Sequence, residues 1–148
     1  VDGFVLFNRF FQPEIDIENE IFHFPWELTQ ERDHQLSLRY AGLLFGNIEG
    51  SICASRGIYS AEDIIKMLLS GADVIQTVSA IYKNQPAFVA TMLKDLNAWM
   101  DKKGYKTIAD FRGKLSRKNL KDPFMYQRAQ YVDILLKSEE IFKKYPMV

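Results

Sequence analysis

Residues 51–79, SICASRGIYSAEDIIKMLLSGADVIQTVS, decide the fold. Residues 51–55 favour a β-strand, and Ser60 then precedes a segment whose apolar residues recur at helical spacing. Gly71 is a typical helix stop, and residues 74–78 favour a second strand. This order and length are typical of a strand–helix–strand unit, so we expect the two strands to be parallel.

Each of these strands is followed by a turn of small or permissive residues, at 55–57 and at 77–79. In parallel sheets the carboxyl ends of neighbouring strands share one edge, where ligands commonly bind. Gly57 allows a close approach of the backbone to an anion, and Ser79 offers an amide and a hydroxyl. Arg56 either adds positive charge or points away. The two turns therefore predict a phosphate site.

The composition is that of an ordinary globular domain. The chain has 148 residues, of which 47% are hydrophobic, and its 19 basic and 19 acidic residues balance. This argues against disorder and against nucleic acid as a partner. Cys53 is the only cysteine, and no apolar run reaches the ~18 residues of a membrane span, so a cytoplasmic protein without membrane contact is predicted.

Charge is less even locally. Residues 102–121 contain eight basic side chains against Asp110 alone. This segment is interpreted as a solvated basic face, with contact to another subunit or to an anionic ligand as the alternative. The chain opens on Val1 and enters an apolar run almost at once. We therefore expect that the sequence starts inside something larger.

The remaining segments predict one more strand and several helices. Residues 3–10 are predicted as a buried strand with Asn8 near its carboxyl end, and residues 11–26 as a long loop containing an extended ribbon. Thr29 is predicted to cap a helix that ends near Gly46. After Ser79 the predicted elements are a helical turn at 80–83, a long helix that begins at Pro86 and ends just before Gly104, a brief helix capped by Thr107, and a last helix from Pro123.

Three parallel strands leave both edges of a sheet open, whereas a complete (β/α)8 barrel needs ~250 residues. The predicted fold class is therefore α/β, as strands six to eight of a TIM barrel with C-terminal helices. We expect residues 1–148 to form a single domain, with the strands in 1–83 and helices in 84–148. In many TIM barrels a phosphate lies beside the loops after strands seven and eight and a short extra helix. A small three-stranded α/β domain is the alternative on pattern alone.

Several motifs resemble one family. The chain is similar to the C-terminal part of dihydroorotate dehydrogenase-like flavoproteins and, more exactly, to the bacterial dehydrogenase-like members of that family. The motifs that carry this resemblance are GFVLFNRF at 3–10, S-x-G-I-x-x-A-E-D at 55–63, S-G-A-D-V-I-Q at 70–76, and R-A-x-Y formed by Arg128, Ala129 and Tyr131.

The resemblance implies an FMN-dependent oxidoreductase of pyrimidine biosynthesis, with the flavin phosphate held by the turns after strands seven and eight. It also implies that Asn8 lies against the flavin or a dihydroorotate-like small-molecule substrate. Where the family usually has paired glycines this chain has Arg56-Gly57, and Val78 replaces another glycine. The residues carried over as cofactor-binding are Ser55, Arg56, Gly57, Ile58, Thr77, Val78 and Ser79.

The family's catalytic base and the lysine near its flavin lie on earlier strands, so no catalytic residue is predicted in this chain. Cys53 lies within a predicted strand and is interpreted as a small buried residue. Alone, the 148 residues are expected to be inactive. We expect a homo-oligomer or association with the missing N-terminal half. The alternatives are a non-catalytic half-barrel, which dimerises to cover its open edges, and a phosphate-binding α/β module unrelated to flavins.

Overall fold

The computed structural model describes residues 1–8, 13–25 and 27–122, together with Tyr126 and Lys143. The helix predicted from Pro123 and the motif at 128–131 lie outside these ranges. In chain order the elements are β1 (Gly3–Leu6), β2 (Glu14–Asp16), β3 (Ile21–His23), α1 (Gln35–Leu44), β4 (Ser51–Ala54), α2 (Ala61–Ser70), β5 (Val74–Ile75), α3 (Ser79–Asn84), α4 (Phe88–Lys103) and a 3₁₀-helix (Ile108–Asp110).

The sheet that organises the fold has the order β1-β4-β5, and both pairings are parallel. The parallel arrangement predicted from residues 51–79 is thereby confirmed. The last strand is shorter than predicted, because only Val74 and Ile75 pair with β4 and the chain then turns. The ribbon predicted in the long loop is an antiparallel hairpin of β2 and β3.

Local signals explain α2 well. The Ser60 hydroxyl accepts a hydrogen bond from the Asp63 amide at 3.2 Å, which satisfies a backbone donor at the start of the helix. Gly71, with φ of 128°, follows the last residue and its amide caps Met67 and Leu68. The apolar face of α2, which includes Ile65 and Leu68, is buried in the core.

The predicted start of α1 is wrong. The helix begins at Gln35, residues 31–34 form a turn before it, and the residue at the cap position is His34. Thr29 lies six residues before the first helical residue and bonds elsewhere in the molecule. The predicted end is close, since α1 ends at Leu44 and Gly46 follows in a left-handed conformation with φ of 71°.

The longer C-terminal signals are confirmed with small shifts. The helix α4 begins two residues after Pro86, and Gly104 ends it with φ of 74°. Thr107 and Asp110 form a reciprocal capping box around the 3₁₀-helix, as the predicted cap requires. The basic segment after it is built of turns whose amides bond to the ends of α1 and α2, including Leu115 N to Leu69 O at 2.8 Å.

The core lies on one face of the sheet. Ile52 and Ala54 of β4 point into it and pack with residues of α1, α2 and α4. Side chains alternate along a strand, so Cys53 faces the other side. The register places Val5 and Val74 beside it in one row, and these two valines are 60% and 53% exposed. In the part of the chain that the structure describes, helices cover one face of the parallel sheet, and the two valines stay exposed on the other face. Within the residues described, no helix has the length and apolarity needed to cross a membrane.

Candidate functional site

The predicted site residues lie at the carboxyl edge of the sheet. The parallel ladder continues past the strands, because the Ser55 amide donates to Leu6 O at 2.8 Å and the Gln76 amide donates to Ala54 O at 2.9 Å. The chain segments that follow β1, β4 and β5 therefore leave the sheet side by side. Asn8 is exposed and lies two residues after the end of β1, on the segment that leaves the sheet at this edge.

The two turns are also bonded to each other. The Thr77 hydroxyl donates to the carbonyl oxygen of Ile58 at 2.8 Å, and the Ile58 side chain is buried. Val78 is 65% exposed, whereas Ser79 is 9% exposed. The structure therefore brings residues 55–58 and 77–79 together as predicted from the sequence, with the Thr77 hydroxyl committed to the link between them.

Residues 29–37, which lead into α1, contact both turns, and we call this segment the strap. Thr29 contacts the second turn, since its amide and its hydroxyl lie 3.2 and 2.7 Å from the Ser79 hydroxyl oxygen. The phenolic hydroxyl of Tyr59, which follows the first turn, donates to the carbonyl oxygen of Thr29. At the other end of the strap, the Ser37 hydroxyl donates to Ser55 O at 2.5 Å.

The strap also explains the glycine of the first turn. Gly57 has φ of 60°, and a Cβ built on it would lie 2.7 Å from Gln30 O and 2.8 Å from the amide nitrogens of Asp33 and His34. Real Cβ atoms do not approach backbone atoms so closely. The face of Gly57 that lacks a side chain is therefore packed against the strap. The sequence suggested that the missing side chain of Gly57 makes room for an anion. In the structure it makes room for the strap.

Arg56 is the cationic group of the turns. Its φ of 80° is unusual for a residue with a side chain. Its Nε atom is buried and has no hydrogen-bond partner among the described residues. A buried guanidinium nitrogen without an acceptor is costly, and an anionic oxygen is the partner that a guanidinium prefers. The local donor chemistry therefore fits a phosphate.

Asp63 anchors the segment that leads from the first turn into α2. Its Oδ2 accepts from the Tyr59 amide at 3.1 Å and from the Ser60 hydroxyl at 3.0 Å, and its Oδ1 lies 3.1 Å from Lys66 Nζ. Burial raises the pKa of this carboxyl. The hydrogen bonds from Tyr59, Lys66 and Ser60, together with nearby His34, outweigh that effect, so the pKa lies below its ordinary value.

Cys53 lies in β4, as predicted, and is partly buried. Burial raises the pKa of its thiol, which disfavours the thiolate needed for a nucleophile or base. The part of the chain that the structure describes contains no group of three or more His, Cys, Asp or Glu side chains suited to a metal ion.

Sequence reasoning missed the strap as part of the site. The sequence marks Thr29 only as a helix cap, and it marks none of His34, Ser37 and Tyr59 as part of a site. The hydrogen bond from Thr29 to Ser79 spans 50 residues. No local pattern signals such a contact, because helix-cap and turn preferences depend only on close sequence neighbours.

Comparison with known structures shows what class of fold this is. The chain is similar to the crystal structure of DHODH from Eimeria tenella in complex with ferulenol, with a TM-score of 0.52 and 20% sequence identity. The match covers 57% of this chain and 23% of that one. The architecture is thus a mixed α/β fold with a parallel sheet, of the kind found in that dehydrogenase.

Sequence comparison agrees. Over 67 residues, 45% of the chain, it is 43% identical to dihydroorotate dehydrogenase A (fumarate) from Lactococcus lactis subsp. lactis. Over 59 residues, 40% of the chain, it is 37% identical to dihydroorotate dehydrogenase (fumarate) from Trypanosoma brucei brucei. The matches cover 22% and 19% of those proteins, so the chain spans about a fifth of their length. No family model matches. The resemblance to dihydroorotate dehydrogenases predicted from the motifs is confirmed.

Proposed function

We propose that this chain is the FMN-binding C-terminal part of a dihydroorotate dehydrogenase-like oxidoreductase. Its three parallel strands are strands six, seven and eight of a TIM barrel, and residues 1–148 act as one domain. The observation that carries the proposal is the joining of the turns at 55–58 and 77–79 at the carboxyl edge of the sheet. The partial identity with two fumarate-type dehydrogenases supports the flavin chemistry.

The residues of the turns bind the flavin phosphate in this proposal. Arg56 supplies charge through a guanidinium whose Nε has no partner among the described residues. The backbone at Gly57 and Ile58 and the hydroxyl of Ser79 supply uncharged contacts. Thr77 holds the two turns together, because its hydroxyl donates to Ile58 O at 2.8 Å. This bond keeps the phosphate-binding groups of the two turns close together before the flavin binds.

Asn8 is proposed to contact the flavin ring or a dihydroorotate-like substrate, because it follows β1 at the same edge. The bound flavin would accept a hydride equivalent from the substrate. No catalytic base is assigned to these residues, since Cys53 lies within a strand and burial raises its pKa. The chain alone is therefore proposed to bind cofactor without turning over substrate.

The uncovered face of the sheet supports a partner that completes the barrel. Parallel sheets are normally buried on both faces, yet Val5 and Val74 are 60% and 53% exposed on the face opposite the helices. We propose that the remaining strands of the barrel cover this row, as the N-terminal part of the same enzyme. The second candidate, a non-catalytic half-barrel that dimerises, rests on the same exposed row.

Titration of the purified protein with FMN and with riboflavin tests the cofactor proposal. Bound flavin shows quenched fluorescence, and the phosphate contacts predict that FMN binds more tightly than riboflavin. Arg56→Ala should weaken FMN binding and leave riboflavin binding unchanged, while Arg39→Ala on the exposed side of α1 serves as the matched control. A protein that binds neither flavin, or both equally well, would contradict the proposal.

The open face is tested by sedimentation. Replacing Val74 by Lys puts a charge into the exposed row without disturbing the core on the other face. If two copies cover each other, the wild type sediments as a dimer and Val74→Lys as a monomer. A monomeric wild type that still binds FMN removes the dimer and leaves the completing part of the barrel as the partner.

A further inference from the structure

We infer that Thr29 is a positioning residue that orients the Ser79 hydroxyl as a donor toward the flavin phosphate. The inference rests on the proposed function and adds to it a residue outside both turns. Thr29 contacts Ser79 through two groups, its backbone amide at 3.2 Å and its hydroxyl at 2.7 Å. Ser79 is 9% exposed, so the geometry around its oxygen is set mainly by the protein.

The chemistry of a hydroxyl group makes this arrangement directional. A serine oxygen accepts through two lone pairs and donates through one hydrogen. The Thr29 amide can only donate, so it fills one lone pair of the Ser79 oxygen. Across the 2.7 Å between the two hydroxyl oxygens, either hydroxyl can donate to the other. When the Thr29 hydroxyl donates, both lone pairs of Ser79 are filled, and the Ser79 hydrogen points away from Thr29.

A phosphate monoester is the ligand that matches such a donor. Its terminal oxygens are acceptors and carry negative charge, so they bond to a hydroxyl that donates and gain nothing from one that accepts. When Ser79 donates to the phosphate, the hydroxyl pair can run in one sense only, from Thr29 to Ser79 to the ligand. Chains of hydrogen bonds with a common direction strengthen one another.

Thr29 is held in place independently of Ser79. Its carbonyl oxygen accepts from the Tyr59 hydroxyl, and the strap behind it is fixed by His34 and Ser37, which bond to the first turn at 3.1 and 2.5 Å. The position of the Thr29 side chain therefore depends on the first turn, while its hydroxyl acts on the second. The strap links the two halves of the phosphate site.

A double-mutant cycle on flavin affinity tests the inference. The variants are Thr29→Val, which removes the hydroxyl at similar volume, Thr29→Ser, which restores it, Ser79→Ala, and the pair of Thr29→Val with Ser79→Ala. Each is titrated with FMN and with riboflavin, and its unfolding by urea is measured without flavin. A hydrogen bond to a charged group corresponds to a change of about tenfold or more in affinity.

Thr29→Val and Ser79→Ala are each expected to weaken FMN about tenfold and to leave riboflavin binding unchanged. Thr29→Ser is expected to bind FMN like the wild type. In the Ser79→Ala background, Thr29→Val should not lower FMN affinity further, because Thr29 acts on the phosphate only through the Ser79 hydroxyl, which Ser79→Ala removes.

Three results would overturn the inference while the proposed function stands. The first is wild-type FMN affinity in Thr29→Val. The second is an equal loss of FMN and riboflavin affinity in that variant. The third is that Thr29→Val lowers FMN affinity by the same factor in the wild-type and Ser79→Ala backgrounds. Equal loss of both ligands means that Thr29 only supports the fold. A wild-type protein that binds no flavin overturns the inference and the proposed function together.

Discussion

The imidazole of His34 and the carbonyl oxygen of Gly57 are joined by a hydrogen bond, with 3.1 Å between Nδ1 and the oxygen. A carbonyl oxygen only accepts, so Nδ1 carries the proton. His34 is 6% exposed and Gly57 is buried, which leaves little water to replace the bond. The residue before α1 thus fixes the turn before α2, and His34 Nδ1 also lies 3.8 Å from Asp63 Oδ1.

Removing this bond should destabilise the fold. We expect His34→Ala to lower the free energy of unfolding by about 1–3 kcal/mol, because it leaves the Gly57 carbonyl oxygen without its partner. Urea unfolding followed by circular dichroism measures the change. The control is His23→Ala in the exposed hairpin strand β3, which should have little effect. Equal stability of the two variants would show that the bond contributes nothing.

Two glycines separate backbone strain from packing. Gly57 and Gly104 both have left-handed φ values, of 60° and 74°. A Cβ at Gly104 meets nothing within 4 Å, whereas one at Gly57 lies 2.7–2.8 Å from the strap. Gly104→Ala should therefore cost about 1–2 kcal/mol through conformation alone. Gly57→Ala should cost clearly more, because the strap must move, and equal urea midpoints would contradict the described packing.

The stability of the protein should fall in acid because of Asp63. The pKa of this carboxyl lies below its ordinary value of 3.8 in the folded state, since hydrogen bonds and charge outweigh its burial. Its contribution is fully present above the unfolded pKa and is lost as the pH falls through the folded pKa. Asp63→Asn should be less stable than wild type at neutral pH, and the difference should shrink below a pH of about 3.8.

Urea unfolding at stepped pH values checks this expectation. Asp95→Asn, on the exposed side of α4, is the matched control and should follow the wild-type curve. A difference between Asp63→Asn and wild type that persists unchanged through the acid range would mean that the ionised form of Asp63 is not the stabilising form.

Asp73 and Arg112 allow a comparison of charge with hydrogen bonding. Asp73 Oδ1 lies 2.5 Å from Arg112 Nη1, and Asp73 Oδ2 accepts from the Ile52 amide at 2.8 Å. Arg112→Ala should cost less than about 1 kcal/mol, because the pair is partly exposed. Asp73→Ala should cost more, about 1–3 kcal/mol, because it also leaves the Ile52 amide without its acceptor.

Thermal or urea unfolding of Arg112→Ala and Asp73→Ala shows which variant loses more free energy of unfolding. Asp73→Asn is the control, since its side-chain oxygen still accepts from the Ile52 amide while the charge is lost. It should resemble Arg112→Ala. If Arg112→Ala were the more damaging change, the ion pair rather than the bond to β4 would hold the segment before β5.

Local sequence preferences predicted the elements whose causes are local. Ser60 and Gly71 bound α2 within one residue of the expected positions, and Thr107 caps the 3₁₀-helix as expected. The carboxyl-edge location of the two turns was also predictable, because a strand–helix–strand unit makes parallel strands. The caps depend on residues a few positions apart, and the two strands belong to one continuous strand–helix–strand unit.

The failures concern partners that are distant in the chain. Thr29 has the chemistry of a helix cap, yet α1 begins at Gln35, and the Thr29 hydroxyl instead bonds Ser79 across 50 residues. Gly57 has the freedom of a ligand-binding glycine, but its open face packs on the strap. The residue type alone is compatible with several contacts for Thr29 and for Gly57. Only the packing of distant segments decides which contact forms.

By itself, the sequence determined the parallel strands, the caps of α2 and the resemblance to dihydroorotate dehydrogenases, because periodicity, capping and motif spacing are properties of short segments. Only the tertiary structure decided that the strap holds both turns and that Val5 and Val74 lie together on an uncovered face. These relationships join segments that are far apart in the chain. They form only when the sheet register brings those segments side by side, so no local pattern records them.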